Sequence, residues 1–140
     1  MRSNPMIRVL DMNTTDSFYN PNSKILLDQT VINTWLKRTG DTNPIHRDKD
    51  YAVRLGFKDI VVPGALIESI FTRMAERCKT HDQMISKVEI SHKKVTYINE
   101  YLAFNAKIKR DATKGYLIEA EAQNEAGEIV ATGNIWVKDI

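Results

Sequence analysis

Apolar residues recur at helical spacing in the first half of the chain and alternate in the second, the change falling just after His81. Val31, Ile32, Trp35 and Leu36 share one helical face, so the spacing predicts a helix that Thr30 caps and that runs to about Lys37. Gly40 stands just past it, where helix ends favour glycine. A short helix is expected over 48–55, stopping at Gly56. The strongest pattern spans 65–78. There Leu66, Ile67, Ile70, Phe71, Met74, Ala75 and Cys78 form one broad stripe, as in a helix laid on a wide apolar surface. A short strand is expected at 23–27. The residues before it, with Asn-Pro at both 4–5 and 20–21, read as an irregular lead-in.

Beyond His81, the segments 84–91, 101–110, 116–124 and 128–138 alternate and are rich in β-branched and aromatic residues, which predicts four strands. DATKG ends at Gly115 and NEAG at Gly127, turn chemistry that joins neighbouring strands as antiparallel hairpins. Helices first and a strand meander second predict an α+β fold, a long central helix wrapped by an antiparallel β-sheet. The boundaries that follow are a lead-in at 1–22 and a single domain at 23–140.

Composition narrows the function classes. A chain of 140 residues with 42% apolar and 27% charged residues is long enough for one buried core. Twenty basic residues face 18 acidic ones for a net +2, which gives no reason to expect nucleic acid as a partner. Cys78 is the single cysteine, so no internal disulfide forms, and a reducing compartment, the cytoplasm, is the expected setting. Residues 1–23 hold no continuous apolar stretch of the signal-peptide kind, and no run approaches the roughly 18 apolar residues of a membrane span.

The stretch TGDTNPIHRD, 39–48, places Asp41 five residues before His46, with Pro44 stiffening the path and Asn43 able to bond the loop backbone. A carboxylate and an imidazole on one rigid loop can share a water and move its protons, and imidazole as a group titrates near neutrality. The same residues also suit a helix C-cap followed by an Asx turn, and spacing alone leaves both open. A second stretch, VVPGAL at 61–66, sets Gly64 at the start of the long helix. Glycine admits close approach to the backbone, and free N–H groups there favour a developing oxyanion. A tight Pro63-Gly64 helix start without chemistry is the plainer alternative.

Together these stretches resemble the MaoC-like family, which includes the R-specific enoyl-CoA hydratases. The likeness is carried by T-G-D-T-N-P-I-H-R-D at 39–48, Tyr51-Ala52, Gly56-Phe57 and I-V-V-P-G at 60–64, and it extends to ATGNIWVK near the C-terminus. The resemblance implies a hot-dog fold, in most relatives a homodimer. It implies hydration of a trans-2-enoyl thioester, or the reverse dehydration of an R-3-hydroxyacyl thioester. The acyl group rides on coenzyme A or acyl carrier protein, and no metal or redox cofactor takes part. Asp41 and His46 become the catalytic pair and Gly64 the oxyanion donor, with Asn43, Thr72 and Pro63 shaping the site. The chain departs from the family pattern in three places. Pro63 stands where relatives often carry His, Lys49 replaces a common proline, and SHKKVTYINE at 91–100 replaces a Pro-Val-x-x-Gly-Asp turn.

Other residues carry competing readings. Glu68, on the flank of the apolar stripe, matches the helix carboxylate of hot-dog thioesterases, or is a salt-bridged flank residue. A hot-dog subunit that binds acyl thioesters without turnover is a further alternative. Lys93, Lys94, Lys107, Lys109 and Arg110 could meet phosphates or an acidic carrier, or could guard strand edges against aggregation. His81 and His92 lack partners at metal-ligand spacing and read as loop or surface residues, and Cys78 reads as a small core residue.

Overall fold

In a computed structural model that describes residues 17–19, 24–110 and 115–140, four long strands form a curled antiparallel sheet around one helix. Two short strands, two helices and a 3-10 turn precede that helix. β1 is Ser17–Tyr19 and β2 Ile25–Leu27. α1 is Gln29–Thr39, a 3-10 turn covers Pro44–His46, and α2 is Lys49–Arg54. The long helix α3 is Gly64–Cys78, and β3 Gln83–His92, β4 Glu100–Arg110, β5 Gly115–Gln123 and β6 Ile129–Asp139 follow.

The sheet order is β1-β4-β5-β6-β3, with β2 also pairing β4. β4, β5 and β6 form the meander, and Lys107 opposes Glu119 while Glu119 opposes Asn134. Alternation decides the layers, with Ala103 of β4 buried as well. Leu102, Phe104, Ala106 and Ile108 of β4 and Tyr116, Ile118, Ala120 and Ala122 of β5 turn inward onto α3. Phe71 is wholly buried on α3 and meets Phe104 edge to face, ring centroids 5.4 Å apart. Gly133 on β6 lies under Phe71, where a Cβ would stand 3.4 Å from the ring, in van der Waals contact.

Several boundaries differ from expectation for local reasons. The cap of α1 is Asp28, not Thr30, because the Asp28 carboxylate accepts the Val31 N–H at 3.0 Å, and the helix begins one residue before Thr30. It also runs to Thr39, where Gly40 in the left-handed region ends it and returns its N–H to Leu36. β1 lies within the stretch expected to be irregular and pairs Ser17–Tyr19 with residues 105–107 of β4. The rest of that lead-in, and residues 111–114 of the DATKG turn, lie outside the described residues. The NEAG turn forms as expected, with the Asn124 side chain accepting the Ala126 and Glu128 N–H groups. Among the described residues no helix is long and apolar enough to cross a membrane.

Candidate active site

The loop after α1 is organised by its own side chains. Asp41 Oδ1 accepts the Asn43 N–H at 2.9 Å, and Asn43 in turn accepts the Ile45 N–H at 3.2 Å and caps the 3-10 turn that Pro44 opens. Arg47 closes the outside by donating to the Thr42 carbonyl. The turn drives His46 inward until only 7% of it is exposed. Its Nδ1 lies 2.7 Å from the Val61 carbonyl. A carbonyl only accepts, so Nδ1 carries the proton of the neutral ring and Nε2 keeps the lone pair. That Nε2 faces Asp41 Oδ2 at 3.6 Å, too far for a direct hydrogen bond. Loop and imidazole thus leave one basic nitrogen and one carboxylate oxygen facing each other, with the Asp41 side open to solvent.

The same backbone segment leads to Gly64. Val61 N–H donates to the Ile45 carbonyl and Val62 N–H to the Thr96 carbonyl, so residues 60–62 are held between the Asp41–His46 loop and the strip at 96–98. Pro63 then starts α3 with no side-chain cap and no acidic residue in the first turn. Leu66 N–H turns back onto the Pro63 carbonyl, while the Gly64 N–H ahead of it has no intrahelical acceptor and, without such a cap, remains available to an anion. A cavity of about 310 Å³ adjoins Gly64 and is lined by Ile67, Thr96, Lys93 and Lys94 among others.

His92, read as a loop or surface residue, is exposed and also lines that cavity. It ends β3, its ring lies 3.2 Å from where a Gly64 Cβ would stand, and its Nε2 is 2.8 Å from Glu68 Oε2. Glu68, one helical turn beyond Gly64, is thus paired with His92. Nothing local in the sequence signals this pair, since 24 residues separate its members. Thr72 has its hydroxyl turned back onto the Glu68 carbonyl at 3.0 Å, and among the described residues no contact joins it to Asp41 or His46.

The five basic residues do not form one patch. Lys93 and Lys94 follow β3 at one edge of the sheet, and Lys94 pairs with Glu128 at 2.6 Å. Lys107 and Lys109 sit on β4, across the sheet, and share Glu119. The 91–100 segment turns at Asn99, whose φ of 66° is one that Asn tolerates and whose N–H donates to the Leu27 carbonyl. His81 is exposed next to Asp82. Burial pushes the Cys78 thiol up to about 12. Among the described residues no group of three or more His, Cys, Asp or Glu is placed to hold a metal ion.

Comparison with known proteins gives the same picture of the fold. Residues 12–128 match the MaoC like domain. The (R)-hydratase of A. caviae involved in PHA biosynthesis superposes with a TM-score of 0.77 at 16% identity, covering 90% of this chain and 96% of that one. An R-hydratase from Pseudomonas aeruginosa gives 0.76 at 16% identity, covering 90% and 81%. The ChsH1–ChsH2 complex from Mycobacterium tuberculosis gives 0.75 at 20% identity, covering 84% and 91%. By sequence, 38 residues are 47% identical to a mitochondrial 3-hydroxyacyl-[acyl-carrier-protein] dehydratase of Solanum lycopersicum, 27% of this chain and 23% of that protein's length. The sheet wrapped on α3 is the hot-dog fold of these structures.

Proposed function

The chain belongs to the MaoC-like domain family, and from that premise we propose that it is a hydro-lyase, an (R)-specific enoyl-thioester hydratase or 3-hydroxyacyl-thioester dehydratase. The observation that carries the reading is the His46 ring, fixed by the Val61 carbonyl with its Nε2 lone pair turned to Asp41. In the hydration direction a water held between the two gives a proton to Nε2, and its oxygen bonds to C3 of the enoyl thioester. The C2–C3 π electrons move onto the thioester carbonyl, and the enolate oxygen is held by the Gly64 N–H. Collapse of the enolate takes a proton at C2 from the Asp41–His46 pair, so one water is consumed and nothing else is released. Asn43 and Pro63 hold the loop and the helix start in this arrangement. Thr72 shapes the site through the Glu68 carbonyl that its hydroxyl bonds. Coenzyme A or acyl carrier protein is the carrier, with Lys93 and Lys94 beside the cavity to meet phosphate. We place the reaction in the cytoplasm, with no metal or redox cofactor.

A second reading rests on the Glu68–His92 pair at 2.8 Å beside Gly64. There the pair activates water toward the thioester carbonyl, the C–S bond breaks, and the thiol leaves with the proton from His92. Crotonyl-CoA separates the two. Loss of enoyl absorbance without free thiol is the expected result and supports hydration. Thiol release in step with substrate loss would transfer the assignment to Glu68 and His92. Silence with crotonyl-CoA and with crotonyl carrier protein alike would remove both.

A further inference from the structure

Between α1 and α3 the protein holds an open cleft of about 590 Å³, a size within the range of small-molecule sites. Val31 and Trp35 of α1 and Leu66, Ile70 and Met74 of α3 give it an apolar floor. Three arginines also line it: Arg38 in the last turn of α1, and Arg73 and Arg77 one turn apart on α3. Among the described residues none of the three meets a carboxylate. The acidic side chains nearest in sequence are engaged elsewhere. Asp41 accepts the Asn43 N–H, Glu68 bonds His92, Glu76 pairs with Lys79 at 3.3 Å, and Asp82 lies against His81. Like charges one turn apart weaken a helix. The negative end of the helix dipole accounts for Arg38 and Arg77 in their last turns, but not for Arg73 further up.

We infer that this cleft binds a long-chain fatty acid, the acyl chain lying on the apolar floor and the free carboxylate on the arginines. A planar guanidinium meets a carboxylate with two parallel hydrogen bonds. The floor removes apolar chain from water, each methylene contributing about 0.8 kcal/mol when buried. Asp41, His46 and Gly64 are not among the residues lining the cleft, so this site is separate from the proposed catalytic one and does not depend on it.

Calorimetric titration of the unaltered chain tests this with three chains of equal length: dodecanoate, dodecanol and dodecyltrimethylammonium, all below their micelle thresholds. Dodecanoate is expected to bind saturably, one per chain, at least tenfold more tightly than the other two. Dodecanol binding as well as dodecanoate would overturn the inference, because an apolar hollow would then suffice, and this arm requires no variant to fold. Absence of saturable dodecanoate binding would overturn it as well. In the triple variant Arg38→Gln, Arg73→Gln, Arg77→Gln, dodecanoate affinity is expected to fall at least tenfold, with circular dichroism and crotonyl-CoA turnover unchanged. An unchanged affinity there would place the carboxylate elsewhere and sink the assignment.

Discussion

His46 and Asp41 are held in different ways, and substitution separates their roles. Asp41→Asn keeps an Oδ1 acceptor for the Asn43 N–H, so the loop survives while the carboxylate charge is lost. His46→Ala removes the lone pair and also strands the Val61 carbonyl, a loss of about 1–3 kcal/mol. Each substitution is expected to lower crotonyl-CoA turnover by about 10²–10⁴. Thermal melts should show Asp41→Asn close to the parent and His46→Ala several degrees below it. Near-parental turnover in both would end the assignment of this loop. Cys78 makes a separate prediction at this scale. With its pKa raised by burial from 9.0 to about 12, the native thiol stays protonated where an unfolded one ionises. Ellman's reagent at pH 8 is expected to label it only in denaturant. The sign for stability follows: between about pH 9 and 12 the unfolded chain binds fewer protons, so this group's contribution falls as pH rises.

At the scale of elements, α1 shows how far local rules reach. Its face, its glycine stop and its existence were legible, because apolar spacing and C-cap chemistry are properties of a few consecutive residues. Its start was not, because Asp28 and Thr30 are both good caps two residues apart, and only the backbone path out of β2 decides which side chain meets a free N–H. Asp28→Ala should destabilise the chain by about 1 kcal/mol in urea unfolding and Thr30→Ala by clearly less. Equal effects would contradict the Asp28–Val31 bond. β1 escaped for a related reason: three residues carry no usable period, and their strand character comes from pairing with β4.

At the scale of the whole molecule, β3, ten residues long, has β6 as its neighbour on one side and, among the described residues, an open edge on the other. Met84 and Val88 are over 40% exposed along it. An exposed edge of this length invites a second strand, and a two-fold pairing of β3 with its copy satisfies both edges at once. We therefore expect light scattering to give about twice the chain mass of 16.0 kDa. The double substitution Met84→Lys, Val88→Lys should shift the protein to the single-chain mass. A wild-type monomer at micromolar concentration would refute the dimer.

The sequence by itself determined the fold class, the order of the helices and long strands and the candidate loop at 39–48, because periodicity, caps and turn chemistry act over neighbouring residues. Asp41, Asn43 and His46 lie within six positions, so their loop could be read as a unit. Only the tertiary structure decided which carbonyl fixes the His46 tautomer, that His92 meets Glu68 beside Gly64, and that three arginines gather over an apolar cleft. Those pairings join residues 15, 24 and up to 39 positions apart. They depend on the order of strands in the sheet and on how α1 lies over α3, and no local pattern encodes either.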